Sequence, residues 1–270
     1  MNTELKHFIP LYLASDPGAY GRKAFNLALL ARSGFKVPRG FVIPAGTPVA
    51  SLDGNLSSDF AALGAGAVAV RSSAAAEDGT AKSFAGQFDT FLGVNAAGLE
   101  AAVLACLASA SGERAAAYGG GAGCRMSVIV QEMVDAEISG VAFSCDPVSG
   151  ARGTVIIEAV YGLCEPLVNG AMTPDHYAVT REGFQAKEAV VATQGECLAV
   201  SPAGGTALRP VPEELRSRQK LGAEELALVA AAAIRAETLL DKPADIEWAL
   251  KGGKLYLLQA RPVTGLGDLK

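Results

Sequence analysis

The spacing of apolar positions predicts helices in three parts of the chain. In each part, apolar residues recur at intervals of three and four, which places them on one face of a helix. The predicted helices cover residues 22–33, 96–118 and, as one or two helices, 213–240. Gly34 follows the first helix and is a natural C-terminal stop. A run of glycines at 119–123 is a flexible joint and a candidate boundary between lobes.

Short apolar runs separated by turn residues predict strands elsewhere. The predicted strands cover residues 67–71, 126–134, 141–147 and 154–162, with more extended chain over 175–200 and a hairpin over 245–262. Tight turns join the three strands within 126–162, so we expect them to form one antiparallel sheet. The polar stretch over 72–87 is predicted to be a long loop, and loops of that length are usually functional or disordered. The pattern as a whole is α+β.

The final hairpin, DIEWALKGGKLYLLQARPV, carries the most informative polar pattern. Side chains alternate faces along a strand, so Asp245 and Glu247 share one face, as do Gln259 and Arg261. Carboxylate and amide oxygens suit Mg²⁺, and a guanidinium suits a phosphate oxygen. The alternative is an ordinary exposed sheet face with a cross-strand salt bridge, because polar outer faces are common in antiparallel sheets.

The length of the turn decides whether these two polar pairs meet. A two-residue turn at 252–253 would set Glu247 opposite Leu258 and send Gln259 to the other face. A three-residue loop over 252–254 would instead place the polar pairs opposite each other, Glu247 with Gln259 and Asp245 with Arg261. We favour the three-residue loop because it also creates a separate apolar face. That face would hold Trp248, Leu250, Tyr256 and Leu258.

Composition and charge exclude several classes of protein. Of the 270 residues, 50% are hydrophobic and 19% are charged, which is enough apolar material for a core and argues against disorder. A net charge of −5 argues against a nucleic-acid binder, which needs a basic surface. Five scattered cysteines lack zinc-ligand spacing and are typical of reduced thiols in a cytoplasmic protein. We expect no signal peptide, no membrane span and no membrane partner.

Five stretches of the sequence carry recognisable motifs. They are GRKAFNLALLARSGFKVPRGFVIP, AVAVRSSAAAEDGTAKSFAGQFDTFLGV, MSVIVQEMV with SGVAFSCDPVSG, YGLCEPLVNGAMTPDHYAV, and DIEWAL with KLYLLQARPVT. In this order they resemble the nucleotide-binding domain of the phosphoenolpyruvate synthase and pyruvate phosphate dikinase family. The resemblance covers nearly the whole chain. It implies a single ATP-grasp domain over 1–270, with approximate lobes 1–122 and 123–270, each holding an antiparallel-rich sheet and helices.

The resemblance implies five residues at the ATP phosphates. Lys23 and Arg71 match residues that contact the phosphates, and Arg261 matches an arginine that stabilises the transferred group. Gly86 and Thr90 match the loop that closes over the nucleotide, where small residues let backbone N–H groups approach phosphate oxygens. Phosphoryl transfer depends mostly on positioning and charge neutralisation, so this set is chemically suited to it.

The resemblance also implies an adenine side and a metal site. Gln131 matches the strand beside the adenine, and the matching metal ligands for Mg²⁺ are Glu247 and Gln259, with Asp245 next to them. The implied cofactors are therefore ATP and Mg²⁺.

Three positions depart from the family pattern. Arg22 replaces a glycine before Lys23, Ala75 replaces a threonine, and Cys164 replaces a glycine before Glu165. We expect these changes to affect the efficiency of the site, because each alters the charge, hydroxyl content or backbone freedom near the nucleotide.

In the family, phosphate from ATP passes to a histidine on a separate swivelling domain and then to the final acceptor. Neither His7 nor His176 lies in a comparable carrier motif, and we interpret both as structural. The expected function is a phosphotransferase subunit that passes a phosphoryl or pyrophosphoryl group to a histidine of a separate carrier protein. Split phosphoenolpyruvate-synthase-like and phenylphosphate-synthase-like systems both fit. The alternative is a non-catalytic nucleotide-binding regulatory module.

Overall fold

The computed structural model describes residues 5–74, 90–109 and 126–265, and the chain divides into two compact units. The first comprises Met1–Gly34, Pro38–Met133 and Val200–Thr206, and the second comprises Phe35–Val37, Val134–Ala199 and Ala207–Lys270. Each unit contains an antiparallel sheet and helices, so the expected α+β class is confirmed. The lobe boundary expected at 122 and 123 falls outside the described residues, and the first unit continues to Met133.

The first unit is built on a five-stranded antiparallel sheet. Its strands are β1 Ile9–Pro10, β2 Gly40–Ile43, β3 Val68–Ala74, β4 Thr90–Val94 and β5 Met126–Glu132. They are ordered β1-β2-β5-β3-β4. Its helices are α1 Pro17–Arg32, α2 Asn55–Leu63 and α3 Leu99–Ser109. One face of the sheet, including Val68, Val70, Val128 and Val130, packs into the main apolar cluster of this unit with α2 and α3.

Helix α1 begins at a capped N-terminus and is interrupted after one turn. Asp16 accepts the N–H of Gly18 at 2.8 Å, which satisfies one of the unpaired donors of the first turn. Gly21 then leaves the helical conformation, with φ 77° and ψ 160°. The helix predicted over 22–33 is the part that follows this break. Gly34, with φ 83°, ends it as the sequence indicated.

The second unit is built on a six-stranded antiparallel sheet. Its strands are β6 Ile138–Phe143, β7 Thr154–Tyr161, β8 Asp175–Thr180, β9 Ala186–Val190, β12 Ala244–Lys251 and β13 Lys254–Pro262. They are ordered β13-β12-β6-β7-β8-β9. Two further strands, β10 Glu196–Val200 and β11 Thr206–Pro210, form a small sheet of their own. The helices that follow β7 and β11 are α4 Glu165–Val168 and α5 Ala223–Leu240.

Helix α5 packs against β12, β13 and β7. Ile246 and Trp248, which lie on one face of β12, are fully buried. Strand β12 pairs with β6, β6 with β7 and β7 with β8, and these successive pairings place Tyr177 on the same face as Ile246. The hydroxyl of Tyr177 accepts the N–H of Leu221, just before α5 begins. We call this covered face the helix face.

Among the described residues, no helix is long and apolar enough to cross a membrane.

Two sequence predictions about the sheets are corrected. The prediction that the three strands within 126–162 form one sheet is wrong, because β5 pairs with β2 and β3 while β6 and β7 pair in the second sheet. Residues 133–137 carry the chain from one unit into the other. The predicted loop over 72–87 also begins too early, because residues 72–74 extend β3 and are buried. The remainder of that loop, the end of the predicted second helix and the glycine run lie outside the described residues.

Candidate functional site

In the second unit, the hairpin of β12 and β13 brings the two polar pairs together. Asp245 lies opposite Arg261, and Glu247 lies opposite Gln259, so the favoured register is confirmed. The Nε of Arg261 donates to the Oδ2 of Asp245 at 2.8 Å. This ion pair directs the guanidinium along the same face that carries Glu247 and Gln259.

The hairpin reaches this register by a different route from the predicted one. Lys251 pairs with Lys254, so the connecting turn is the two residues 252–253 and the predicted three-residue loop is wrong. Both turn glycines have positive φ, 55° and 68°, which is typical of a type I′ hairpin turn. The register shifts by one residue between Glu247 and Trp248, because Leu258 is the extra residue of a β-bulge on β13.

The bulge also changes the apolar face of the hairpin. Trp248 pairs with Leu257 and Leu250 pairs with Leu255. The apolar face therefore holds Leu255 and Leu257, and the prediction that it holds Tyr256 and Leu258 is wrong. Tyr256 instead lies opposite Ala249, on the side that carries Glu247.

The side of the second sheet that carries Glu247 continues as a polar row across five strands. From Gln259 and Glu247 the pairing runs through Val141 on β6 to Glu158 on β7 and His176 on β8. Directly opposed residues in an antiparallel sheet point to the same face. The Nδ1 of His176 lies 3.6 Å from the Oε1 of Glu158. We call these five residues the polar row.

The donor groups at the hairpin end of the polar row fit a magnesium ion. Glu247 offers carboxylate oxygens and Gln259 an amide oxygen from directly opposed positions, and Mg²⁺ prefers such hard ligands. Across the described ranges, no group of three or more His, Cys, Asp and Glu side chains is arranged to hold a metal. A cation here would therefore need further oxygens from nucleotide phosphates and water, which is the usual way that Mg²⁺ binds in nucleotide sites.

In the first unit, the restart of α1 is anchored on β3. A Cβ atom added at Gly21 would collide with the Oγ and the carbonyl oxygen of Ser73, so only glycine allows this close approach. The N–H of Ala24 donates to the Oγ of Ser73 at 3.1 Å. The Nζ of Lys23 donates to the carbonyl oxygen of Ser72 at 2.9 Å. The ammonium group of Lys23 is thereby held against the middle of the strand that carries Arg71.

Three predicted site residues share one face of the first sheet. Arg71 lies opposite Thr90 on β4 and Ile129 on β5, and Gln131 lies two positions further along β5. Alternation along the strands places all of them opposite the apolar cluster. Arg71 and Gln131 are buried, whereas Thr90 is exposed. The amide of Gln131 makes a long contact of 3.5 Å to the carbonyl oxygen of Pro38.

The remaining sequence features have separate outcomes. Gly86 and Ala75 lie outside the described residues. Arg22 is exposed at the restart of α1. Cys164 precedes α4 and is buried with Val160 and Leu167, so its thiol fills an apolar site.

Sequence reasoning missed a buried charged cluster beside β8. The Nζ of Lys220 lies 2.6 Å from the Oδ1 of Asp175, and both side chains are 0% exposed. The hydroxyl of Tyr177 donates to Asp175 at 2.7 Å. Burial, together with this hydrogen bond, raises the pKa of Tyr177 far above its usual value, so the phenol stays a neutral donor. The available signal in the sequence was the two-residue spacing of Asp175 and Tyr177. In a strand, this spacing places both side chains on one face, which here is the helix face.

The sequence is similar to one family model and to several known proteins. Residues 50–270 match the family model described as pyruvate phosphate dikinase, AMP/ATP-binding domain. A probable phosphoenolpyruvate synthase of Methanocaldococcus jannaschii is 36% identical over 205 residues, which are 74% of this chain and 17% of that protein. The prodigiosin synthesizing transferase PigC of Serratia marcescens is 35% identical over 283 residues, covering 92% and 32%. A rifampicin phosphotransferase of Streptomyces sviceus is 38% identical over 206 residues, covering 74% and 24%. The chain thus spans about a sixth to a third of the length of these relatives.

Proposed function

Because this chain belongs to the pyruvate phosphate dikinase AMP/ATP-binding domain family, we propose that it binds Mg·ATP and passes a phosphoryl or pyrophosphoryl group to a histidine of a separate carrier protein. The observation that carries the proposal is the pairing of Glu247 with Gln259 beside the ion pair of Asp245 and Arg261. This arrangement places oxygen ligands for a metal ion and the positively charged guanidinium of Arg261 on one face of the hairpin.

In this proposal, Glu247 and Gln259 hold Mg²⁺, and Asp245 sits beside them. When bound, Mg²⁺ neutralises charge on the ATP phosphates. The ion pair with Asp245 fixes the direction of Arg261. A guanidinium has five N–H donors, so Arg261 can in principle donate both to a carboxylate and to the transferred group.

The family resemblance also assigns nucleotide-binding roles to residues of the first unit. In the proposal, Lys23 and Arg71 bind phosphate oxygens; Lys23 is held against β3, the strand that carries Arg71. Gly86 and Thr90 match the family loop that closes over the nucleotide, and Gln131 matches the strand on the adenine side. The family resemblance supports these roles, and the shared sheet face of Arg71, Thr90 and Gln131 agrees with them.

The proposal is tested by incubating the protein with Mg·ATP, with and without candidate histidine-carrier proteins. Carrier-dependent AMP is expected for pyrophosphoryl transfer, and carrier-dependent ADP for single phosphoryl transfer. The variant Lys23→Ala should abolish transfer while the circular dichroism spectrum stays unchanged, because this ammonium neutralises phosphate charge. Wild-type turnover by Lys23→Ala would contradict the assignment. If Mg·ATP binds but every carrier leaves it intact, the regulatory interpretation replaces the catalytic one.

A further inference from the structure

The far end of the polar row carries a second pair of ionisable side chains. Glu158 and His176 lie on neighbouring strands, and the Nδ1 of His176 is 3.6 Å from the Oε1 of Glu158. Val141 alone separates Glu158 from Glu247 along the row. Adjacent strands are about 4.8 Å apart, so Glu158 stands roughly 10 Å from Glu247 on the same face.

This pair is open to solvent although it lies on interior strands. The side chains of Glu158 and His176 are 31% and 38% exposed. Their sequence neighbours Ile157 and Tyr177, which point to the helix face, are fully buried. Strands β7 and β8 have neighbours on both edges, so exposure of their side chains requires that their face be uncovered at this point. A reactant group can therefore reach the pair.

We propose that Glu158 and His176 form the acceptor end of the site, where the carboxylate of Glu158 accepts a hydrogen bond from the N–H of the imidazole that receives the phosphoryl group. This inference rests on the proposed function, because it takes a carrier histidine as the acceptor. It assigns to Glu158 a direct contact with the acceptor and to His176 a positioning role.

The chemistry of imidazole explains why a carboxylate is needed there. A neutral imidazole attacks through its unprotonated nitrogen, while its other nitrogen carries a proton. The new P–N bond forms as the P–O bond to the leaving nucleotide breaks, and the nucleotide oxygen takes the electron pair. The ring becomes positively charged and keeps its N–H proton. A carboxylate on that N–H fixes the reactive tautomer and stabilises the developing charge.

The distance of roughly 10 Å between Glu158 and Glu247 is of the right order for a phosphoryl group and an acceptor imidazole to lie between them. Reacting atoms in a productive complex are about 3–3.5 Å apart, and a charge-assisted hydrogen bond adds about 2.8 Å. A phosphoryl group held at the Glu247 end and an imidazole ring beside it fill the remainder of the roughly 10 Å between the carboxylates. Val141 between them is partly buried and packs against the apolar cluster of Val160, Cys164 and Leu167.

His176 contacts Glu158, and other carboxylates lie on the same side of the sheet or in the adjoining turn. Besides Glu158, the acidic groups near His176 are Asp146, in the turn between β6 and β7, and Glu188 on β9, which lies opposite Ala178 on the same face. The pKa of Asp146 lies below its ordinary value, mainly because Ser149 donates to its carboxylate, with a smaller contribution from the charge of His176. In the proposal, the contact of 3.6 Å with His176 orients the carboxylate of Glu158.

Free imidazole is a suitable probe because it reproduces the acceptor side chain. Product formation from saturating Mg·ATP is measured as imidazole concentration rises, and phosphoimidazole is identified by phosphorus NMR. Glu158→Gln should lower the imidazole-dependent rate about ten- to a hundredfold, the usual worth of a hydrogen bond to a charged group. Calorimetric Mg·ATP affinity should remain unchanged. Glu188→Gln, which removes the same charge from the same face, is the matched control and should leave the imidazole-dependent rate unchanged.

A second readout separates positioning from general stability. The chain has two histidines, so ¹⁵N-histidine labelling gives two sets of imidazole signals, and His176→Gln assigns them. Added imidazole should shift the signals of His176 and leave those of His7 in place, and Glu158→Gln should abolish the shift. His176→Gln should raise the half-saturating imidazole concentration and alter the pH profile of the transfer rate.

The outcomes distinguish this inference from the proposed function. If wild-type protein binds Mg·ATP but shows no imidazole-dependent product, or if Glu158→Gln matches wild type, the acceptor site is contradicted while nucleotide binding stands. If Mg·ATP does not bind, the proposed function fails first. Equal loss of activity in Glu158→Gln and Glu188→Gln would assign the effect to net charge and would also overturn the inference.

Discussion

Glu247 lies directly opposite Gln259 although the turn that joins their strands has only two residues. Without the bulge at Leu258, that short turn would place Leu258 opposite Glu247 and send Gln259 to the helix face. The bulge therefore aims Gln259 and the following Arg261 onto the side that carries Glu247. Bulges commonly redirect side chains next to functional sites, and here the redirected groups are the candidate metal and phosphate ligands.

Gly21 allows α1 to restart against β3, and its replacement should be costly. Alanine at this position would be strained, because the backbone has φ 77° and ψ 160°. Its Cβ atom would also collide with Ser73. Gly46 is the matched control, because it has φ 81° and open space around it. We expect Gly46→Ala to cost about 1–2 kcal/mol in unfolding free energy from strain alone. Gly21→Ala should cost about 1–3 kcal/mol more, from overpacking. Urea denaturation measures both, and equal losses would contradict the close approach.

The buried pair of Lys220 and Asp175 should be far more sensitive to mutation than an exposed pair. Lys220→Met leaves the Asp175 carboxylate buried without its counter-charge, which typically costs about 3–5 kcal/mol. Lys251→Met is the control, because its partner Asp135 is 3.4 Å away and both side chains are well exposed. We expect that change to cost less than about 1 kcal/mol. Similar denaturation midpoints for the two variants would show that the buried pair of Lys220 and Asp175 does not stabilise the fold more than the exposed pair does.

Glu237 on α5 is clamped by two arginines. Arg181 makes two hydrogen bonds of 3.0 Å to its carboxylate, and Arg152 makes one of 3.1 Å. Burial acts to raise the pKa of Glu237, but the hydrogen bonds from Arg181 and Ser144 and the two positive charges outweigh it. The pKa of Glu237 in the folded protein is therefore below its ordinary value.

A lowered carboxyl pKa makes stability depend on pH in one direction. The contribution of Glu237 is fully present above its unfolded-state pKa, about 4.3, and is lost as pH falls through the lower folded-state value. Glu237→Gln should thus be less stable than wild type at pH 7, and the difference should shrink below about pH 4.3. Denaturation midpoints over a pH series test this, with the exposed Glu224→Gln as control. A constant difference between Glu237→Gln and wild type across the series would contradict the clamp.

The hairpin illustrates how far sequence reasoning reaches. The facing pairs of Glu247 with Gln259 and Asp245 with Arg261 were predictable, because one register separates polar from apolar side chains. The bulge at Leu258 was not predictable. One extra residue, placed either in the turn or within strand β13, produces the same facing pairs. The choice between these depends on how Trp248 and Leu257 pack, which is a tertiary property.

Long-range placement was the other limit. Strands β6 and β7 follow β5 closely in sequence, so the three were expected to share a sheet. The chain instead passes from the first unit to the second after Met133, and no local sequence pattern marks that crossing. His176 was interpreted as structural because a lone histidine has no local signal of function. Its place on the polar row follows from four successive strand pairings, which the sequence specifies only through the complete sheet.

The most direct test of the central claim is calorimetric titration of Mg·ATP into wild-type protein, Glu247→Ala and the control Glu188→Ala. We expect saturable binding by wild type and by Glu188→Ala, with weaker binding when Mg²⁺ is omitted. Glu247→Ala should lose at least about tenfold in affinity while its fold is retained, because a metal ligand is removed. Absence of saturable binding by wild type with ATP in the millimolar range, or equal affinity of Glu247→Ala, would contradict the account.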